Sequence, residues 1–196
     1  MADEGWLSDS EGRIENIALA PNAKNALFPL FEAIMNSIQA IEERFGRDDL
    51  VSGQIEITVH KDEHGEPTGF SVADNGIGFT TENLVSLRKF DSRKKAKIGG
   101  KGVGRLLWLK VVEKAAIQSQ FFEDGAWKSI SFDFTVTNPV SSLDERLPVG
   151  DRYLTEVTIN PFRSEFATRI RESSRRLPTE SLPTSSAILR TSRTLR

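Results

Sequence analysis

A long amphipathic segment sets the strongest limit on how this chain can fold. Between about Asn22 and Phe45, apolar residues recur at steps of three and four, which is the period of an α-helix with one buried face. These residues are Leu27, Leu30, Phe31, Ile34, Ile38 and Ile41. Gly46 then ends the helix. We expect Ile34, Ile38 and Ile41 to secure this helix to a sheet.

Strand patterns follow the helix as far as Pro161, and the first of them, QIEITVH, alternates between apolar and polar residues. Two of them, separated by the turn sequence DEHGEPTG, predict a hairpin of QIEITVH (54–60) and GFSVAD (69–74). Further strands are predicted for AIQSQFF, WKSISFDFTV and YLTEVTI. Two shorter helices are predicted over Thr81–Leu87, with Thr80 as a cap, and over Val103–Ala115.

Composition narrows the class of protein. The 196 residues suffice for one sizeable core, and a charged fraction of 28% is that of a soluble globular protein. A formal net charge of −2 gives no general attraction to nucleic acid or anionic lipid. The lack of cysteine and the presence of only two histidines argue against a zinc site. No stretch reaches the roughly 18 apolar residues of a membrane helix, and no signal peptide is visible, so we expect a cytoplasmic protein.

Three regions are predicted: an N-terminal extension (1–20), one domain (21–162) and a tail (163–196). The tail has eight Arg, no Lys and twelve Ser plus Thr, which predicts disorder. A basic arm for nucleic acid and the end of a truncated gene product are the alternatives.

The first candidate site is the pair Glu32 and Asn36 within FEAIMNSIQA. Residues four apart share one helical face, so the carboxylate and the amide can act on one ligand. A carboxylate can deprotonate water, and an amide oxygen suits Mg²⁺. The alternative is the solvated edge of an amphipathic helix.

The second candidate is ADNGIGF (73–79), where a strand delivers Asp74 before Gly76 and Gly78. The carboxylate can accept a hydrogen bond from an amino group such as that of adenine, and the glycines let a flat ring lie close. A turn explains Asn75-Gly76 equally well.

The third candidate is IGGKGVGR (98–105), a glycine-rich loop that runs into a helix. Free backbone N–H groups and the positive helix end favour a polyphosphate. The loop fits neither the Walker pattern nor GxGxxG. Lysines add positive charge here, or are simply solvated; they are Lys94, Lys95, Lys97 and Lys101.

The motifs EAIMNSIQA, DNGIG, IGGKGVG and LTEVTI, in this order over about Asn22–Asn160, resemble the GHKL ATPase superfamily. That group includes the gyrase B subunit, the large heat-shock chaperone, histidine kinases and the MutL mismatch-repair protein. The run DSRKKAKIGGKGVGR is most similar to the lids of bacterial chaperone-like ATPases and the MORC group.

The resemblance implies a Bergerat fold, which is a two-layer α/β sandwich with helices on one face of a mixed, mostly antiparallel sheet. It implies that Glu32 activates the attacking water, that Asn36 ligates Mg²⁺, and that Asp74 binds the adenine amine of ATP. Gly76, Ile77 and Gly78 would line the base pocket, and Thr155 would support Asp74 through water. The lid over the phosphates would comprise Gly99, Gly100, Lys101, Gly102, Val103 and Gly104. Gln39 stands where some branches carry an acidic residue, so it receives no role.

Three functions fit this resemblance. Glu32 favours Mg²⁺-dependent ATP hydrolysis, because histidine kinases usually carry Asn at that position. A non-hydrolysing ATP switch that needs a second domain is the alternative, since related ATPases take a Lys or Arg from a following domain. A histidine kinase catalytic domain fits less well, because His60 and His64 fall on a strand end and a turn. We expect ATP to order the lid and promote a homodimer, with nucleic-acid or protein clients reached through further domains and no membrane contact.

Overall fold

The long helix begins later than its sequence pattern and buries small residues. The computed structural model describes residues 14, 16–88, 103–136, 138, 140–174 and 187–190. Helix α1 spans Phe28–Phe45, follows a 3₁₀ turn at Asn25–Leu27, and ends at Gly46, whose φ is 77°. Its buried positions are Pro29, Ala33, Ser37 and Ile41. Phe31 is instead 55% exposed, so the buried face is rotated away from one of the residues that predicted the helix.

The helices pack on an antiparallel sheet. The strands are β1 (Gln54–Lys61), β2 (Pro67–Asp74), β3 (Ala115–Glu123), β4 (Ala126–Phe134), β5 (Ser141–Arg146), β6 (Leu154–Ile159) and β7 (Ala187–Arg190), in the order β5-β4-β3-β6-β2-β1-β7. The predicted α/β sandwich and the β1–β2 hairpin are confirmed. Every described strand pair is antiparallel, so this sheet is not mixed.

Three more helices complete the described part. They are α2 (Thr81–Arg88), α3 (Val103–Val111) and α4 (Ser164–Ser174). Thr80 caps α2 as predicted, because its hydroxyl accepts a hydrogen bond from the Asn83 N–H at 3.3 Å. The core between the layers includes Val72, Trp108, Leu109, Ile117, Phe121, Phe132, Val157, Ile159 and Phe166. None of the helices described is long and apolar enough to span a membrane.

The predicted helix over Val103–Ala115 is too long. Helix α3 ends at Val111, and Ala115 already pairs with Phe134 at the start of β3. The helix ends there because of a tertiary contact, in which Arg163 donates hydrogen bonds to the last carbonyls of the helix. Its backbone N–H donates to the Val111 carbonyl at 2.8 Å, and its Nε donates to the Leu109 carbonyl at 3.2 Å. Sequence spacing carries no sign of a cap that comes from so far along the chain.

Two segments of the tail predicted to be disordered have secondary structure. Helix α4 buries Phe166 and Ile170, four residues apart, in the main core, and β7 pairs with β1 as an edge strand. The bulk composition of the tail obscured this short apolar pair. Strand β5 was also missed, because its residues are mostly exposed and show no apolar alternation.

Candidate functional site

A cleft opens between α1, α2, α3 and the centre of the sheet. Its lining, among the described residues, consists of Ala33, Asn36, Ser37, Gln39, Ala40, Glu43, Asp74, Gly78, Phe79, Asn83, Ser86, Trp108, Thr155 and Val157. Segments far apart in sequence therefore converge here: the helix that carries Asn36, the strand end that carries Asp74, and the β6 strand that carries Thr155.

The other candidate residues either do not line the cleft or lie mostly outside the described residues. Glu32 lies on α1 one turn before Asn36, is partly exposed, and does not line the cleft. Gly99, Gly100, Lys101 and Gly102 lie outside the described residues, as do Lys94, Lys95 and Lys97. Val103 and Gly104 form the first turn of α3. The predicted lid is therefore represented here only by its last two residues.

Asp74 is a buried carboxylate with two fixed hydrogen bonds. It ends β2 with 6% of its surface exposed. The Ser37 hydroxyl donates to Oδ2 at 2.7 Å, and the Gly76 N–H donates to Oδ1 at 2.8 Å. Burial raises the pKa of Asp74 to about 6, although both hydrogen bonds act to lower it. Each carboxylate oxygen keeps a lone pair, so Asp74 can accept a further hydrogen bond from a ligand.

The backbone after Asp74 packs tightly against α1. The Ile77 N–H donates to the Ala40 carbonyl at 3.0 Å. A Cβ on Gly76 would come within 2.5 Å of the Ala40 Cβ and 2.6 Å of its carbonyl carbon. Packing against the helix by itself therefore requires glycine at position 76. The sequence interpretation, in which this glycine makes room for a flat ring, is not needed to explain it.

Gly76→Ala is expected to destabilise the domain by about 3 kcal/mol, because the added methyl meets backbone that cannot move aside. Urea denaturation would measure the change. Gly65→Ala, in the β1–β2 turn with nothing within 4 Å, is the matched control and should cost about 1 kcal/mol through its positive φ alone. Equal losses in the two variants would contradict the packing argument.

Gly78 has a different role from Gly76. Its φ is 82°, a region that favours glycine, and an added Cβ would approach the Phe121 Cβ at 2.8 Å. The Asn83 side-chain amide donates to the Gly78 carbonyl at 2.9 Å. The loop from Asp74 to Gly78 is thus held by α1 on one side and by α2 and β3 on the other.

Thr155 lies directly opposite Asp74 in the β2–β6 ladder. Its hydroxyl is hydrogen-bonded to the Ser119 hydroxyl at 2.8 Å, and Ser119 also accepts from the Phe79 N–H at 3.0 Å. Ser119 and Ser37 are the polar residues that sequence reasoning missed. A serine in a strand or helix carries no sequence signal of its own. Strand pairing brings the Ser119 hydroxyl to the site, and the packing of α1 on the sheet brings that of Ser37.

Two buried donors in the cleft lining lack partners. Asn36 Nδ2 and Trp108 Nε1 make no hydrogen bond within the described structure. A buried donor left without a partner costs about 1–3 kcal/mol, and such groups are uncommon in folded proteins. Both donors are therefore available to a ligand or a water in the cleft.

Comparison with known families decides the class. The family model described as histidine kinase-, DNA gyrase B- and HSP90-like ATPase matches residues 26–148, which is more than half of the chain. The chain belongs to this GHKL-type ATPase family. The match includes the segments with Asn36, Asp74 and the glycine-rich loop, and it ends before β6. A search of curated proteins found no match.

Membership of the GHKL family makes this chain an ATP-binding domain in the general sense. The matched region contains the whole of α1, the loop after Asp74 and the start of α3, which together surround most of the cleft. The likeness of the glycine-rich run to chaperone-like and MORC-like lids stays a prediction.

Proposed function

We propose that this GHKL domain binds ATP with Mg²⁺ in the cleft and hydrolyses it slowly. The observation that carries the proposal is Asp74, a carboxylate held by Ser37 and Gly76 at the end of a central strand and still able to accept a hydrogen bond. Its place in the cleft suits the amino group of adenine, which is a donor that can satisfy a buried acceptor. Thr155, opposite Asp74, would hold a water between the strand and the base.

The metal would be held mainly by the nucleotide and by Asn36. The described residues contain no cluster of three or more acidic, histidine or cysteine side chains that could enclose a cation. Mg²⁺ commonly keeps waters and binds through one or two protein groups plus substrate phosphates, so a single amide oxygen is compatible with this role. The Asn36 Nδ2 donor, which has no partner within the described structure, would donate to a phosphate oxygen while Oδ1 faces the metal.

The phosphates would lie toward the start of α3. The N-terminal N–H groups of a helix favour an anion, and Val103 and Gly104 provide the first of them. Gly99, Gly100, Lys101 and Gly102 would complete the lid over the phosphates. Glu32 would then activate the attacking water from the adjacent turn of α1.

A non-hydrolysing switch is the second candidate, and one observation favours it. Glu32 does not line the cleft that Asn36 and Asp74 share. Hydrolysis therefore requires a closed state in which Glu32 approaches the phosphates.

We propose that ATP orders the lid and promotes a homodimer, and that clients act through further domains in the cytoplasm.

ATP titration by calorimetry, with and without Mg²⁺, run alongside phosphate release, tests both candidates. Binding with turnover supports the ATPase, whereas tight binding without turnover supports the switch. An absence of ATP binding in both conditions would refute the proposed function.

Nucleoside binding is expected to weaken about tenfold as the pH falls from 7 to 5. The pKa of Asp74 in the free protein is about 6, so protonation then removes the acceptor that the base needs. Adenosine is the suitable probe because it has no phosphate to titrate, and calorimetry across this range measures the change.

Ser37→Ala sharpens the pH test. The Ser37 hydroxyl holds the pKa of Asp74 down, so its removal should move the midpoint of the binding curve to higher pH. If adenosine affinity stayed constant between pH 5 and pH 7 in the parent protein, Asp74 would not contact the base.

A further inference from the structure

One face of helix α1 contacts the end of β2 and the loop after it, and this face extends past the motif EAIMNSIQA to Arg44. Ser37, Ala40 and Arg44 are spaced by three and four residues and therefore share one face of the helix. Each contacts the loop that follows β2. Ser37 donates to the Asp74 carboxylate, the Ala40 carbonyl accepts from Ile77, and Arg44 Nη1 donates to the Asn75 carbonyl.

Arg44 is held in a defined orientation between two aromatic rings. Its guanidinium carbon lies 3.7 Å from the ring centroid of Tyr153 and 4.3 Å from that of Phe45. These distances are within the range of cation–π contacts, and the flat guanidinium can meet a ring and a carbonyl at once. A lysine at this position could not reproduce both contacts, because its ammonium is a compact point charge on a flexible stem.

The far side of the same loop is fixed to strand β1 by Asn75. Its Oδ1 accepts from the Gln54 N–H at 2.8 Å, and its Nδ2 donates to the Ser52 carbonyl at 2.9 Å. Asn75 therefore ties the loop to the start of β1, while Arg44 ties it to α1. The Asn75 carbonyl that accepts from Arg44 and the Gly76 N–H that donates to Asp74 belong to the same peptide group.

Tyr153 extends the contact to the second strand of the site. It immediately precedes β6, and Thr155, two residues further, is the ladder partner of Asp74. Arg44 thus contacts the chain just after β2 ends and just before β6 begins. Both Asp74 and Thr155 line the cleft.

We propose that Arg44 is a positioning residue that sets the base selectivity of the cleft, by holding the Asn75 carbonyl and Tyr153 together at the end of the β2–β6 ladder next to the Asp74–Thr155 pair. The inference rests on the proposed ATP site and deepens it. Arg44 does not line the cleft, so it acts through the loop and not on the nucleotide itself.

The test compares two nucleotides that differ at the base. ATP presents an amino group to Asp74, whereas inosine triphosphate presents a carbonyl oxygen that a carboxylate repels. Calorimetry with both nucleotides and Mg²⁺ gives the affinity ratio for the parent protein, Arg44→Lys, Arg44→Met and Tyr153→Leu. The matched control is Arg47→Met, since Arg47 lies near the same helix end with 86% of its side chain exposed.

Arg44→Met and Tyr153→Leu are each expected to lower ATP affinity about tenfold and to reduce the preference for ATP over inosine triphosphate about fivefold. Arg44→Lys should fall between them and the parent, and Arg47→Met should match the parent. If Arg44 had a purely structural role, its substitution would lower the melting temperature and weaken the binding of ATP and of inosine triphosphate equally. An unchanged preference in Arg44→Lys and Tyr153→Leu would overturn the positioning role, whereas a parent protein that binds neither nucleotide would refute the ATP site itself.

Discussion

Asp74→Asn is expected to abolish ATP binding, with an affinity loss of about 100-fold or more. The substitution keeps the shape of the side chain and exchanges one acceptor oxygen for a donor. That donor would face the adenine amine, so two N–H groups would oppose each other at a side chain that is buried in the free protein. The lost interaction is a charge-assisted hydrogen bond in a buried place, where such bonds are strongest.

The same variant should fold normally. Asn Oδ1 can still accept from the Gly76 N–H, and the Ser37 hydroxyl can accept from the new amide. Burial raises the pKa of Asp74 from 3.8 to about 6, so the folded protein favours the protonated side chain. This contribution to the free energy of unfolding is fully present below pH 3.8 and is lost as the pH rises through 6. The ionised form thus opposes folding at pH 7 by up to about 3 kcal/mol, which a neutral Asn avoids.

Calorimetry with ATP and thermal unfolding of the free protein measure the two effects separately. Asp144→Asn is the control, since this carboxylate lies on the edge strand β5 in a surface ion pair with Arg146. Retention of parental ATP affinity in Asp74→Asn would contradict the assignment of the base pocket. Loss of folding would contradict the inference that the buried charge opposes stability.

Glu32→Ala is expected to bind ATP as the parent does and to lose turnover by about 10²–10⁴-fold. Glu32 is outside the cleft lining, so its removal takes away no contact with the bound base. As a general base it would act only on the attacking water, and its loss would appear in the rate and not in the affinity.

Phosphate release under saturating ATP, together with calorimetry, checks this result. Glu42→Ala is the matched control, because Glu42 is on the same helix and Arg47 Nε lies 4.0 Å from its carboxylate. Parental turnover in Glu32→Ala would show that another group activates water. If the parent protein itself binds ATP without turnover, the domain is a switch and Glu32 has no catalytic use in this chain.

The sequence predicted the principal elements because their patterns are local. The period of α1, the strand and turn pattern of the β1–β2 hairpin and the Thr80 cap each lie within a short stretch of chain, and the structure contains the helix, the hairpin and the cap. The four motifs in order also pointed to the GHKL family, which the family match confirms. The sequence did not predict where α3 ends, because Arg163 donates hydrogen bonds to its last carbonyls. It also did not predict helix α4, because Phe166 and Ile170 lie in an arginine-rich segment.

By itself, then, the sequence determined the α/β sandwich and the family, and it pointed to Asn36 and Asp74, both of which line the cleft, since propensity, periodicity and motif order are properties of neighbouring residues. Only the tertiary structure decided the hydrogen-bond partners of Asp74 and its pKa. Its raised pKa comes from burial, and its partner Ser37 is on a helix that meets β2 only after folding. It also decided that Gly76 must be glycine because of Ala40, and that Arg44 reaches Asn75 and Tyr153. Contacts of this kind depend on distances between segments far apart along the chain, and these distances exist only once the helix has packed on the sheet.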